Sequence, residues 1–206
     1  MKKTEKLNYQ ITKKYAITLI SECDKQTDTR LILSNRMFGL VLLVGLETGA
    51  RISDLLKLKW KDIKSYGPNE YMLTYHISKS KKDISIPLSN DLIHHITNTK
   101  EWLKNKYILV SESIFYNYDT GKSFTRVWAS NRISKANKSG LLGEIIDVAG
   151  SHSLRRTSAV NVFEKSNGDM RIASMLLGHK NLVTTSNYLQ VNEKEMFDKL
   201  KTIVNG

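Results

Sequence analysis

From Met37 to Leu46 the chain reads Met-Phe-Gly-Leu-Val-Leu-Leu-Val-Gly-Leu, with no polar position in ten residues. A helix at the edge of a domain keeps one polar face, so this run predicts a helix buried all round, with other elements arranged about it. Gly49, just beyond, is the residue type that ends such a helix in a left-handed turn. The run falls well short of the roughly 20 apolar residues that cross a bilayer, so a core helix and no membrane partner are expected. A chain of 206 residues is long enough to bury it in one continuous domain. No repeat, low-complexity tract or stiff linker divides the sequence, and its two prolines are Pro68 and Pro87.

Around this centre, Thr12 to Cys23 predicts a helix. Ser53 is a candidate N-cap for a short helix from Asp54 to Lys59, with Leu55, Leu56 and Trp60 to pack. After the turn residues Gly67-Pro68-Asn69, Tyr71, Leu73, Tyr75 and Ile77 alternate with Met72, Thr74, His76 and Ser78, the period of a strand. Lys79 to Asp83 forms a basic tip, and the alternation resumes at Ile84-Ser85-Ile86 until Pro87, which is expected to stop the pairing. Helices follow at Asn90 to Leu103, Phe124 to Lys138, Ser153 to Lys165, Asp169 to Leu177 and Thr184 to Tyr188. The predicted class is α+β, mostly α, with a small antiparallel sheet.

Charge narrows the partners. Thirty-two Lys and Arg against 20 Asp and Glu leave a net charge of +12, which points to a polyanion. The single Cys23 excludes a disulfide framework and multi-cysteine zinc modules. Lys122, Arg126, Arg132, Lys135 and Lys138 form a run without Asp or Glu, while Phe124, Val127 and Trp128 sit at helical spacing to anchor it. Such a run is either a solvated face or a set of phosphate contacts, and the overall charge favours the second.

His152 and Arg155 share a face at a predicted helix start, where an anion is well received, though a capping histidine and a surface arginine would look the same. His179 after Gly178, Tyr188, and Arg51 in Thr48-Gly49-Ala50-Arg51 are each compatible with ordinary structural roles when taken alone. The adjacent His94 and His95 project about 100° apart on a helix, which disfavours a joint metal site and suggests a surface feature. Dinucleotide, P-loop, zincin and nucleophile-elbow signatures are lacking from the sequence.

Taken in order, Thr48-Gly49-Ala50-Arg51-Ile52-Ser53-Asp54-Leu55-Leu56, Ser78-Lys79, His152-Ser153-Leu154-Arg155-Arg156-Thr157, Leu176-Leu177-Gly178-His179 and Thr184-Thr185-Ser186-Asn187-Tyr188 closely resemble the tyrosine recombinase, or phage integrase, family. The resemblance runs from the first helix to Tyr188 and corresponds to that family's catalytic domain. It implies a pocket of Arg51, Lys79, His152, Arg155 and His179, with Tyr188 as nucleophile and Asp54 supporting the first arginine. It further implies cleavage and rejoining of double-stranded DNA through a 3′-phosphotyrosyl bond, with neither metal nor other cofactor. Lys79, Lys81 and Lys82 compete for the lysine's role, and counting back from Ile86-Pro87 favours Lys79. Lys81 and Lys82 join Lys122, Arg126, Arg132, Lys135 and Lys138 as expected DNA contacts. Arg156 stands where many relatives carry histidine.

Residues 1–206 are therefore expected to form a catalytic domain. With 50 residues before Arg51, the family's separate N-terminal clamp domain is expected to be missing, the chain being either a naturally short recombinase or a fragment of a longer one. The tail, 192–204, has a capping pair in Asn192 and Glu195 and an apolar stripe of Met196, Phe197, Leu200, Ile203 and Val204. Either it folds back on its own domain or, as the resemblance implies, it docks on the neighbouring subunit of a DNA-bound tetramer. The resemblance leaves integration, excision, inversion and resolution open as outcomes. A monomeric topoisomerase-like relaxing enzyme or a catalytically silent DNA-binding protein would use the same scaffold. No apolar segment follows Met1-Lys2-Lys3, so a cytoplasmic location is expected, on the nucleoid when bound to DNA.

Overall fold

The computed structural model describes residues 5–21, 28–106, 111–117, 119–147, 149–179 and 181–189. The chain divides into two compact units, Met1–Ser158 and Ala159–Gly206.

In the first unit, α1 (Tyr9–Ser21) packs on α2 (Thr29–Thr48), the central helix. Helix α2 begins where the Asp28 carboxylate accepts from the Arg30 and Leu31 N–H groups, and it ends at Gly49, whose φ of 60° is left-handed. It is thus 20 residues long, twice the apolar run, and by length and composition it could cross a membrane. Yet 78% of its apolar stretch is buried inside the protein, and Arg36 lies 4.7 Å over the Trp102 ring. The extra turns were hidden because Arg30, Ser34, Asn35 and Arg36 interrupt the apolar pattern, although the last of these is buried. Fully burying a side chain such as Phe38 or Leu42 stabilises the fold by about 1.5–3 kcal/mol. At Gly45 a Cβ would overlap the Leu154 side chain, so glycine is what lets α6 (Ser151–Lys165) lie against α2.

Helix α3 (Ile52–Leu55) is shorter than expected and starts earlier. Arg51, not Ser53, occupies its N-cap position, without a side-chain cap. A 3-10 turn follows at Trp60–Asp62, where the Asp62 carboxylate accepts from the Lys59 N–H at 2.8 Å. The sheet has three strands, β1 (Ile63–Gly67), β2 (Glu70–Ile77) and β3 (Lys82–Leu88), antiparallel in that order. Pairing does not stop at Pro87: Met72 faces Pro87 and Tyr71 faces Leu88. Because β3 is an edge strand, the missing proline N–H is tolerated.

Helix α4 (Asn90–Asn105) is capped by the Ser89 hydroxyl, and α5 (Arg126–Lys138) by that of Thr125. The Asn137 side chain then donates to the Ile146 carbonyl at 3.0 Å and accepts from its N–H, fixing the loop that leads to α6. Thr157 on α6 accepts from the Leu7 N–H at 2.8 Å, which ties the N-terminal segment to that helix.

The second unit begins within α6, at Ala159, and contains α7 (Met170–Leu177) and α8 (Leu182–Leu189). Its core is Ala159, Val160, Ala173, Leu177 and Leu189, with Phe163 and Met170 packed against it. Cys23 and the tail helix expected at 192–204 lie outside the described residues.

Candidate active site

Thr48 is the last residue of α2; its hydroxyl bonds to the Val44 carbonyl at 2.6 Å and accepts from the Ala50 N–H. The left-handed turn at Gly49 then aims that residue's carbonyl at Arg155, whose Nη1 donates to it at 2.6 Å. Arg155 is 2% exposed, and Arg51 follows two residues after the turn. At the start of α6 the Ser153 hydroxyl accepts from the Gly150 N–H, while the Ser153 N–H donates to the Gly150 carbonyl. Together these contacts hold Arg51, Ser151, His152 and Arg155 around one pocket of about 70 Å³, also lined by Ile52, Ser53 and Arg126. Among the described residues no carboxylate lines it.

His152 is exposed by surface area, with its ring partly desolvated at the pocket. Burial pushes its pKa below the ordinary histidine value, and the positive charges of Arg126, Arg155, Arg51 and Lys79 push in the same direction. An uncharged imidazole can accept a proton. Lys79 is among the cations whose charge reaches this ring.

Lys79 lies in the turn between β2 and β3. The residue before it, Ser78, is held by α3 and the segment after it: Asp54 Oδ1 accepts from the Ser78 N–H at 3.4 Å, and Lys57 Nζ donates to the Ser78 hydroxyl at 3.3 Å. The Asp54 side chain, 4% exposed, therefore reaches to the hairpin rather than bonding to the Arg51 guanidinium. Tyr75, which the sequence did not single out, is buried nearby. Burial raises its pKa to about 12, with Asp54 adding to the shift and Arg155 and Arg51 opposing it.

The second unit holds His179 and Tyr188. Gly178 closes α7 with a φ of 61°, and the His179 N–H donates to the Ser174 carbonyl at 3.0 Å. The His179 ring Nδ1 lies 3.0 Å from the hydroxyl of Thr185, a buried residue of α8. That contact sets the ring's orientation, a role for Thr185 that the sequence did not reveal. Tyr188 falls on α8, and its side chain lies outside the described residues.

The expected DNA contacts separate into three groups. Lys81, Lys82, Lys122, Lys135 and Lys138 are exposed. Arg126 is exposed as well and lines the pocket. Arg132 is committed to the interior: it donates to Ser34 Oγ and Asn35 Oδ1, each at 2.6 Å, and lies 4.6 Å over the Phe38 ring. It anchors α5 to α2 instead of extending the cationic face. Phe124 and Trp128 stack at 3.8 Å as expected of anchors, but Val127 is 66% exposed. Of the adjacent histidines, His94 is exposed, whereas His95 is half-buried, 3.7 Å from an Asp91 already paired with Lys13, so it is not a plain surface residue.

Solved structures of similar fold include a site-specific recombinase and an integrase. XerH site-specific recombinase, in a post-cleavage complex with its difH substrate, matches with a TM-score of 0.73 at 22% identity over 100% of this chain and 54% of its own. A lambda integrase tetramer bound to a Holliday junction matches with a TM-score of 0.61 at 23% identity, over 91% of this chain and 49% of its own. The fold is that of the tyrosine recombinase catalytic domain.

In sequence, the chain is 29% identical over 160 residues to a tyrosine recombinase of Thermosipho africanus (strain TCF52B), covering 75% of this chain and 50% of the relative. It is 27% identical over 164 residues to the probable integrase/recombinase YoeC of Bacillus subtilis (strain 168), covering 79% and 82%. The family model for the phage integrase family matches residues 10–195, and the chain belongs to that family. It spans about half the length of the Thermosipho relative and of a 30% identical tyrosine recombinase from Pseudothermotoga lettingae.

Proposed function

We propose that the chain is the catalytic part of a site-specific DNA recombinase that breaks and rejoins double-stranded DNA through a 3′-phosphotyrosyl intermediate. The observation that carries this reading is the pocket, with no carboxylate among its described lining residues, that brings Arg51 and Arg155 beside His152. Attack of a tyrosine hydroxyl on a phosphodiester builds negative charge on the non-bridging oxygens, and paired guanidinium forks stabilise it.

In this scheme the Tyr188 oxygen bonds to phosphorus, and the bond from phosphorus to the 5′-oxygen breaks. His152 takes the tyrosine proton, and Lys79 gives a proton to the departing oxygen. His179 donates a hydrogen bond to the phosphate. Arg51, Lys79, His152, Arg155, His179 and Tyr188 are the catalytic set, with Asp54 acting through the hairpin. The bond energy is kept in the phosphotyrosine, so religation is the reverse reaction. Exposed Lys81, Lys82, Lys122, Lys135 and Lys138 would meet the DNA backbone. We assign residues 1–206 to the catalytic domain, acting as a tetramer on DNA in which the tail at 192–204 docks on a neighbouring subunit.

Incubation with a nicked half-site DNA that cannot be religated, followed by a denaturing gel, tests the reading. A covalent adduct is expected from the parent chain and none from Tyr188→Phe, which should still bind DNA. Absence of an adduct from the parent, or its persistence in the variant, would refute the scheme.

A further inference from the structure

We infer that Arg126 is a third phosphate-binding residue of the pocket, holding the same phosphate group as Arg51 and Arg155. This rests on the reading of the pocket as the seat of the reacting phosphate, and it assigns Arg126 a place that the family resemblance does not.

Three observations converge. The first is space. The pocket of about 70 Å³ is lined by Arg51, Arg126, His152 and Arg155, and it has room for a small group. Three guanidiniums thus border one small pocket. The second is charge. Arg126 is the first residue of α5, where the helix dipole disfavours a cation, and neither it nor Arg51 makes a side-chain hydrogen bond or ion pair with another described residue. A bound anion would offset that unfavourable placement.

The third observation is proximity. Among the charges acting on the His152 ring, that of Arg126 is the largest, ahead of Arg155, Arg51 and Lys79. Arg126 is an exposed residue, and its place in the pocket lining keeps it close to that ring.

The test compares the parent with Arg126→Ala and Arg126→Gln in the half-site cleavage assay at saturating DNA, with thermal melting as a control for folding. Each variant should melt like the parent and cleave about a hundredfold more slowly. Replacing the cleaved phosphate with a methylphosphonate, which lacks one charged oxygen, should shrink the gap between parent and variant to a few-fold, about threefold or less. Variants that cleave at the parental rate, or a gap unchanged by the methylphosphonate but closed by neutralising an adjacent phosphate, would overturn the inference.

A second readout needs no DNA. Inorganic phosphate, followed through the His152 ring resonances, should bind about tenfold more weakly to either variant. Equal affinity would overturn the assignment of Arg126. A parent that forms no adduct would refute the recombinase reading, and the phosphate titration would still decide Arg126.

Discussion

At His152 a single imidazole meets burial and four nearby cations, all of which disfavour its charged form. Its pKa in the folded chain therefore lies below the unfolded value, and the sign of the linkage follows. The folded state binds fewer protons than the unfolded state between those two values, so this residue's contribution to stability is complete above the unfolded pKa and is lost as pH falls through the folded one. The proposed base should stay competent to a lower pH than an ordinary histidine. The cleavage rate of the parent should fall only below the usual histidine range, and His152→Gln should flatten that limb while reducing the plateau. A parent whose rate declines at or above the ordinary histidine value would contradict the electrostatics of the pocket. The residues that sequence made legible here, Arg51, His152 and Arg155, are ionisable side chains that the pocket brings together. Thr185 and Tyr75 were not legible, because nothing in a threonine or a tyrosine of a half-apolar segment announces that it will lie against a histidine or a buried charge cluster. The Gly49 carbonyl escaped notice for a different reason, since a backbone acceptor has no letter in the sequence.

The hairpin is the element on which the proposed acid depends. Asp54 and Lys57 hold Ser78, and Ser78 carries Lys79 into the turn. Asp54→Ala should slow cleavage about tenfold, the loss of one charged hydrogen bond. Most of that loss should be recovered on DNA with sulfur in place of the 5′-bridging oxygen, because sulfur departs without a proton. Lys79→Ala should be recovered in the same way. Rescue of Lys81→Ala or Lys82→Ala but not of Lys79→Ala would move the acid along the hairpin. This element also shows what periodicity can reveal. Strand β2 was plain because its burial alternates with its apolar residues. Strand β1 was not, because Lys64, Ser65 and Tyr66 are all exposed and leave no alternation to read. Pro87 misled because sequence cannot say whether a strand is at the edge of its sheet. The central helix was recognised by its apolar ten residues and underestimated in length, since the first turns of α2 are built from side chains that pair with α5.

For the whole molecule, on the proposed reading, the net charge of +12 and the exposed lysines would make DNA affinity a matter of displaced counterions. Binding should weaken by about 0.9 log units per log unit of salt for each phosphate neutralised. Lys135→Ala and Lys138→Ala should each lower that slope by about one unit with unchanged melting. Arg132→Ala should do the reverse, leaving the slope in place and lowering the melting temperature by several degrees, since it removes two hydrogen bonds and a ring contact from the α2–α5 packing. A flat salt dependence would contradict the polyanion reading. The bond from Arg155 to the Gly49 carbonyl joins residues 106 positions apart. A polypeptide emerging from the ribosome exposes Arg51 long before Arg155 has been synthesised, and the turn at Gly49 has nothing to grip until α6 arrives. A scissile phosphate would meet one clamp arm without the other. Premature termination anywhere between them would release a product without this bond, so the turn and α6 can be joined only once Arg155 has been made.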